Sequence, residues 1–224
     1  MGLIGLAACA PTNRAPTFEF TQLAPGLRID PAARTVEYDG TVAVDTKNPD
    51  TPDVFLELIA CTPDTREHES LVVSPVQPSL IHAALLAADF EPGAPGRIAV
   101  TTKGLERQPA TGDRLTLELI WTDYRGREQS AAPHEWIRLE SGELLDPFTW
   151  VFAGSRLVER RGTEVYDADG TGTVIGLTTF GAEVIAPTAT VSPDSGTDTP
   201  MFLAENDAMP PAGTRVTVRL GPPK

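Results

Sequence analysis

The sequence predicts a strand-rich α+β protein made of two related β/α/β halves that pack together. Most apolar runs are short, rich in β-branched residues and bounded by turn residues, which is typical of strands. Only one segment, near residues 79–90, has the apolar spacing of a helix. Residue types also recur in the same order at a constant offset, which indicates an internal duplication. We therefore place the first half at 24–145 and the second half at 146–224.

The elements of the first half follow from local patterns. Residues 34–44 carry β-branched residues about a Tyr-Asp-Gly turn signal, and the apolar run 55–60 predicts a buried strand. Ser79 is placed to cap the one long helix, and Pro92-Gly93 follows it as a stop signal. Further strands are predicted at 71–73, 97–102, 114–122 and 134–139.

Two series of matched residues indicate the duplication. In the first, every pair lies 128 positions apart, and it joins Gly26, Arg28, Ile29, Thr35, Tyr38 and Asp39 to Gly154, Arg156, Leu157, Thr163, Tyr166 and Asp167. In the second, every pair lies 101 positions apart, and it joins residues within 109–119 to residues within 210–220. Each half would then contain strands, a polar loop, a helix and a closing strand, and the halves would pack about a pseudo-twofold axis.

Composition describes an acidic globular protein. Hydrophobic residues make up 41% of the chain and charged residues 22%, and the formal net charge is −13. Phosphate-backbone binding depends on clustered Lys and Arg, and the sequence has no such cluster, so we exclude nucleic acid as a partner. No apolar run approaches the length of about 18 residues that a transmembrane helix needs.

The first nine residues predict the remnant of a lipoprotein signal, 1–9. Leu6-Ala7-Ala8-Cys9 matches a bacterial lipobox, in which a cysteine after small residues is diacylated. Eight residues precede Cys9 and none is Lys or Arg, which departs from the usual charged start of a signal. Residues 10–23 then form an extended tether. We expect a cell-envelope location, lipid-anchored or secreted, with membrane contact only through the lipid.

Residues 61–70 concentrate more reactive side chains than any other stretch of the chain. If Cys9 is lipidated, Cys61 has no cysteine left for a disulfide, and it is then either a small buried core residue, which we favour, or a thiol with a function. A thiolate nucleophile needs a base that lowers its pKa and a group that orients the base. Cys61, His68 and either Glu67 or Glu69 supply those residue types, so a thiol-dependent enzyme is one hypothesis.

A metal site is a second hypothesis for the same stretch. Cys61, His68, a nearby glutamate and His82 on the following helix would offer sulfur, nitrogen and oxygen ligands that suit zinc or copper. No paired Cys-x-x-Cys motif is present, and neither His68 nor His134 begins a zinc-protease motif. These absences make the metal pattern unspecific.

A structural or binding role is the third hypothesis. Arg66, Glu67, His68 and Glu69 would form a polar network that braces the loop, with Ser70 bonded to the backbone. Under this hypothesis any ligand would be contacted near residues 61–70 and the following helix, by Arg66, Ser70 and His82. We prefer this hypothesis, and leave open whether the ligand is a small molecule or a protein.

Several short motifs, in order, resemble one known family. They are Glu67-His68-Glu69-Ser70, His82-Ala83-Ala84-Leu85-Leu86, Pro109-Ala110-Thr111-Gly112, Trp121 with Asp123, Glu135-Trp136, Trp150-Val151-Phe152-Ala153-Gly154-Ser155 and Pro210-Pro211 with Gly213-Thr214. Together they resemble the YdjY-type domain family of bacterial exported proteins, over roughly residues 24–222. The resemblance implies export and carries over no catalytic residue. The chain departs from the family pattern at Thr178-Thr179-Phe180, where Ser-Asn-Phe is expected.

The sequence therefore predicts an exported or lipid-anchored bacterial protein that acts as a non-enzymatic binding or scaffold module. Its ligand would be contacted near residues 61–70 and His82. The alternative is a thiol-dependent enzyme or metal-binding protein that uses Cys61 and His68. Whether the protein is an enzyme stays open at this point.

Overall fold

A closed barrel of eight β-strands forms the body of the protein. The computed structural model describes residues 17–50, 53–102, 104–198 and 201–223. The predicted signal remnant 1–9 with its cysteine Cys9, and the first half of the predicted tether (10–16), therefore lie outside the described residues; the end of that tether enters the first strand. The eighteen strands of the described part are, in chain order, β1 (Thr21–Ala24), β2 (Leu27–Asp30), β3 (Thr35–Val42), β4 (Phe55–Leu56), β5 (Leu58–Cys61), β6 (Ser70–Val73), β7 (Arg97–Thr101), β8 (Gly104–Gln108), β9 (Arg114–Thr122), β10 (Glu128–Ala131), β11 (Ile137–Leu139), β12 (Trp150–Phe152), β13 (Leu157–Arg160), β14 (Thr163–Tyr166), β15 (Thr173–Gly176), β16 (Ile185–Pro187), β17 (Phe202–Ala204) and β18 (Arg215–Gly221).

The barrel strands follow one another in the order β3, β18, β9, β12, β16, β15, β5 and β6, and the pairing of β6 with β3 closes the ring. Strand β3 has three neighbours because β18 pairs along one of its edges, whereas β2 and β6 share the other edge. Its first residues pair with β2, whereas Thr41 and Val42 pair with Val73 and Val72 of β6. A glycine is required just before this point, since a Cβ on Gly40 would lie 2.6 Å from a methyl group of Val72.

Alternating side chains explain why β9 and β18 lie next to each other in the barrel. In each strand every second residue is apolar and buried, as a strand with one core-facing side requires. The inward residues of the two strands are Leu115, Leu117, Leu119, Val216, Val218 and Leu220. Burial of these side chains supplies the hydrophobic stabilisation, at about 25 cal/mol per Å² of apolar surface.

An ion ladder crosses four strands on the outer face of the barrel. Glu37 of β3 is almost fully buried and accepts a 2.6 Å bond from Arg28 of β2 and a 2.7 Å bond from Arg219 of β18. Arg219 also reaches Glu118 of β9 at 3.0 Å. Each pair sits directly across from its partner in the strand register, so the ladder and the register support each other.

The predicted α+β fold with two β/α/β halves is wrong. Helix accounts for 11% of the protein, and the closed barrel makes it mostly β. Four barrel strands come from 24–145 and four from 146–224, and they alternate around part of the ring, so the halves are not separate units. The second recurring series ends in β9 and β18, which are paired neighbours in one barrel. Neighbouring strands that face the same core need the same residue alternation, which explains the recurrence without a duplicated half.

The first recurring series is also explained by local structure. It covers the hairpin of β2 with β3 and the hairpin of β13 with β14. The former belongs to the main sheet, whereas the latter is a separate two-stranded sheet. Both patterns encode a tight hairpin, and their positions in the fold differ.

Helix α1 (Pro78–Ala87) is the long helix predicted near 79–90. It begins with a proline, which suits the first helical position because that residue needs no N–H partner. Ile81, Ala84 and Leu85 face inward and are fully buried. A second, five-residue helix, α2 (Asp167–Thr171), ends at Gly172, whose φ of 72° favours glycine. Within the described residues no helix combines the length and apolar character needed to cross a membrane.

Candidate functional site

Cys61 is a core residue at the end of β5. Its relative exposure is 0%, and β5 lies between β15 and β6 in the barrel wall. Burial raises the pKa of the Cys61 thiol, and hydrogen bonds with the Ser70 and Thr65 side chains and the Arg66 backbone offset that rise only in part. A reactive cysteine needs a lowered pKa and access to solvent. Cys61 has neither property in this fold.

His68 lies on the opposite, solvent side of the loop. It is the middle residue of a 3-10 helix (Glu67–Glu69), and its side chain is 79% exposed. The ring atom Nε2 lies 3.8 Å from Glu69 Oε1. Since Cys61 is buried among other partners, the structure does not form the thiol–imidazole pair that a cysteine nucleophile requires.

The other charged residues of the loop serve its own conformation. The Glu67 carboxylate accepts the backbone N–H groups of Asp64 and Thr65, and backbone hydrogen bonds lower the pKa of Glu67. The guanidinium carbon of Arg66 lies 4.0 Å from the ring centroid of Phe180, a cation–π arrangement. These contacts form a brace of the kind predicted from the sequence, except that His68 contributes little to it.

Glu57 and Glu69 meet beneath the loop. Burial raises the pKa of Glu57, and the neighbouring Glu69 charge adds to the rise. Arg66 Nη1 lies 3.6 Å from Glu57 Oε2, which partly balances the acidic pair. Arg66 therefore lies between the Phe180 ring and the Glu57 carboxylate, and its Nη1 is buried without a hydrogen-bond partner among the described residues.

The predicted metal ligands are not brought together. Cys61 contacts Ser70 and Thr65 inside the wall, His68 faces solvent, and His82 contacts Gly154 and Tyr166. Across residues 17–50, 53–102, 104–198 and 201–223, no group of three or more His, Cys, Asp or Glu side chains is arranged to hold a metal ion. The proposed zinc or copper set fails because its members lie in three separate environments.

His82 instead lies in a cleft of about 420 Å³ beside α1. The cleft is lined by Ser79, His82, Gly154, Ser155, Arg156, Leu157 and Tyr166. Three segments that are far apart in sequence meet there: α1, the turn that follows β12, and the end of β14. We define these seven residues as the His82 cleft.

The imidazole of His82 is held through one nitrogen. Nδ1 lies 3.1 Å from the Gly154 carbonyl oxygen and 2.9 Å from the Tyr166 hydroxyl, and that hydroxyl donates to the same carbonyl at 3.0 Å. A carbonyl only accepts, so Nδ1 carries the ring proton and Nε2 keeps its lone pair. Burial lowers the pKa of His82, so the ring is neutral at pH 7. Edge-on contacts with Phe152 and Tyr166 fix the plane of the ring.

Two consecutive left-handed residues place the Gly154 carbonyl beneath His82. Gly154 has a φ of 81° and Ser155 a φ of 53°. A Cβ on Gly154 would lie 2.7 Å from Pro92 Cβ and 3.4 Å from His82 Cε1, so only glycine fits. The left-handed conformation of Ser155 is maintained by its hydroxyl, which donates to the Ala182 carbonyl at 2.7 Å. Strain of this kind, held by surrounding bonds, is common at functional sites.

Arg156 supplies a fixed positive charge at the edge of the cleft. Its Nε donates to Asp167 Oδ2 at 2.9 Å, and Arg160 binds the other carboxylate oxygen at 2.8 Å. Asp167 is 5% exposed, whereas the Arg156 side chain is about half exposed. The buried carboxylate therefore orients Arg156 through Nε, while about half of the Arg156 side chain remains exposed.

The sequence identified only one member of this cleft as a site residue. His82 is the predicted ligand contact, whereas Ser155, Arg156 and Tyr166 belong only to the family motifs or to the recurring series. The available signal was Gly154-Ser155 directly after an apolar strand, a position where sharp turns often carry functional side chains. The pairing of that turn with His82, 72 residues away, is a tertiary contact that no local pattern reveals.

A family model described as the YdjY domain matches residues 27–221. The match covers most of the chain. The chain belongs to the YdjY domain family. This confirms the resemblance drawn from the short motifs. The matched span starts at the first residue of β2 and ends at the last residue of β18, so one YdjY domain is the whole barrel with its flanking hairpins. No curated protein and no solved structure matches the chain.

Proposed function

We propose that this YdjY-domain protein is a non-enzymatic binding module of the cell envelope, exported and anchored through Cys9, that holds a small ligand in the His82 cleft. The observation that carries the proposal is the neutral His82 ring, fixed through Nδ1 at the wall of a cleft. The lipobox at Cys9 supports the location. The cleft volume lies within the range of about 300–1,000 Å³ that is usual for small-molecule sites.

The chemistry of the cleft supports binding over catalysis. The hydroxyl of Ser155 is the obvious nucleophile among the lining groups, yet it donates its proton to the Ala182 carbonyl. A serine nucleophile needs its hydroxyl bonded to a base. The thiol-enzyme alternative loses its support because Cys61 is buried with a raised pKa and His68 faces solvent. The metal alternative loses its support because its ligands are dispersed.

The cleft groups define the class of ligand. Arg156 presents a guanidinium whose position is set by Asp167, which suits a carboxylate or another small anion. His82 Nε2 is an acceptor, which suits a hydroxyl or N–H donor on the same ligand. A small hydroxy acid combines both features and fits the volume. A purely structural role would account for the hydrogen bonds of His82 Nδ1 and Arg156 Nε. Ligand binding would in addition use His82 Nε2 and the terminal nitrogens of Arg156.

Calorimetric titration of the full chain with a panel of small hydroxy acids tests the proposal. At least one acid should bind, and His82→Ala and Arg156→Gln should each weaken it by roughly tenfold or more, since each removes one polar contact. His68→Ala is the matched control, because that histidine is exposed and lies outside the cleft. Equal binding by all four proteins would refute the site, and no binding by any acid would refute the ligand class. Retention in the membrane fraction that survives Cys9→Ser would refute the anchor.

A further inference from the structure

A hairpin arm stands apart from the barrel. Strands β7 and β8 pair only with each other among the described residues, in a register that joins Arg97 to Gln108. Val100 is 87% exposed and Leu105 is 40% exposed. An isolated two-stranded hairpin is marginally stable in water, because too little of its apolar surface is buried. This arm therefore has an incomplete hydrophobic face.

One end of the arm is fixed to the body. Arg107 of β8 binds both carboxylate oxygens of Asp198, at 2.6 and 2.5 Å, and donates to the Thr190 carbonyl at 2.8 Å. Strand β7 forms no salt bridge among the described residues. Its outer edge presents backbone groups that no described strand pairs with.

The two edges of the arm differ in charge. Natural edge strands are usually protected from pairing by charged residues or proline. Strand β8 carries such protection in Glu106 and Arg107, whereas the centre of β7 is Ile98-Ala99-Val100, without charge. The unprotected edge is thus β7.

We propose that β7 pairs antiparallel with β7 of a second copy of this chain, about a two-fold axis at Ala99. In this register Ile98 faces the partner's Val100, and Val100 faces the partner's Ile98. Arg97 faces the partner's Thr101, so no like charges meet. Pairs of β-branched residues directly across a strand pair are among the stabilising combinations. The product is a four-stranded sheet in which both copies of β7 are central and both copies of β8 form the edges.

The same operation on β8 is unfavourable. A two-fold axis at the centre of that strand would put Glu106 opposite the partner's Glu106, and like charges directly opposite destabilise a sheet. It would also put Leu105 opposite the partner's Arg107, which is already bound to Asp198. Charge and register therefore select β7.

The net charge of the chain adds a condition to this association. Two copies that each carry a net charge of −13 repel each other at low salt. Added salt shortens the range of that repulsion. A β7 interface is apolar and backbone-mediated, so salt should strengthen it. An interface of one strand edge is also small, which corresponds to a weak, concentration-dependent dimer.

Sedimentation equilibrium of the full chain carrying Cys9→Ser tests the proposal, over roughly 1 to 300 μM, the range in which small interfaces associate. We expect a monomer–dimer equilibrium that is tighter at about 0.5 M salt than at about 0.05 M salt. Val100→Lys should raise the dissociation constant roughly tenfold or more, since each dimer loses two cross-strand pairs. Leu105→Lys on β8 is the matched control and should leave the constant unchanged.

Cross-linking tests the register itself. Ala99→Cys places two thiols at the two-fold axis, so mild oxidation should give a disulfide-linked dimer, whereas Glu106→Cys on β8 should give none. Circular dichroism of each variant checks that it is folded. A monomer at every concentration and salt overturns the proposal. A dimer that Val100→Lys leaves intact, or that Glu106→Cys cross-links in place of Ala99→Cys, overturns it equally.

Discussion

Cys61 should react with a thiol reagent only when the barrel opens. Its exposure is 0%, and burial raises the pKa of its thiol, so the native state offers neither access nor thiolate. A domain of this kind has an unfolding free energy of at least about 5 kcal/mol. That energy corresponds to an open fraction of about 2 × 10⁻⁴, at 1.36 kcal/mol per tenfold change. Labelling in native buffer should therefore be slower than in the unfolded chain by about 5 × 10³-fold or more.

Absorbance detection of an aromatic disulfide reagent measures this ratio. The chain has 2 cysteines, so Cys9→Ser leaves Cys61 as the single thiol. The labelling rate should rise with denaturant in parallel with the loss of folded structure. A native rate within about tenfold of the unfolded rate would refute the assignment of Cys61 to the core, and would reopen the thiol-enzyme hypothesis.

Three further predictions concern the cleft and the barrel. Gly154→Ala should destabilise the protein by about 2–4 kcal/mol in chemical denaturation, because it combines left-handed backbone strain with a clash against Pro92. Gly126 has a similar φ, and a Cβ there would meet no atom within 4 Å, so Gly126→Ala should cost only about 1 kcal/mol. Equal costs for the two variants would contradict the clash. Glu37→Gln should cost about 3 kcal/mol, because two arginines lose a buried charged partner, and a cost below about 1 kcal/mol would show that the ladder contributes little. Burial lowers the pKa of His82 in the folded state below its usual 6.5. The stability that the neutral ring contributes is therefore fully present above pH 6.5 and is lost as the pH falls. The melting temperature of the natural protein, measured relative to that of His82→Gln, should fall between about pH 7.5 and 5.5, and a constant difference would contradict the buried neutral ring.

Local patterns predict several strands of the first half correctly and the architecture wrongly. The strand expected at 134–139 is only partly right, because Pro133–Trp136 form a 3-10 helix before β11. The expected strand at 114–122 has the bounds of β9, and the expected helix near 79–90 overlaps α1. Periodicity of apolar residues is a local property, so it is visible in the sequence. Closure of the barrel depends on pairs such as β3 with β18, whose residues lie more than 170 positions apart. No local signal specifies that register, and similar strand patterns in the sequence instead suggest duplicated halves.

The candidate site shows the same division between local and long-range information. The density of reactive side chains in residues 61–70 favours a functional site there. The strand periodicity that precedes them was the better guide, since Cys61 ends a continuously buried strand and so belongs to the core. His82 could be named from the sequence, but its partner Tyr166 lies 84 residues away. The cleft arises only when α1 packs beside the turn after β12.

The arm and the cleft are held in a fixed relation by one crowded junction. The segment between α1 and β7 crosses the end of β12, where Gly93 N–H donates to the Phe152 carbonyl at 2.9 Å. A Cβ on Gly93 would lie 2.2 Å from the Thr111 carbonyl, and one on Gly112 would lie 2.0 Å from the Phe152 oxygen. Three backbones can meet this closely only where side chains are absent. Because Phe152 also packs against His82, the base of the arm and the wall of the cleft are one rigid unit, so two copies joined through β7 would hold their clefts at a defined separation.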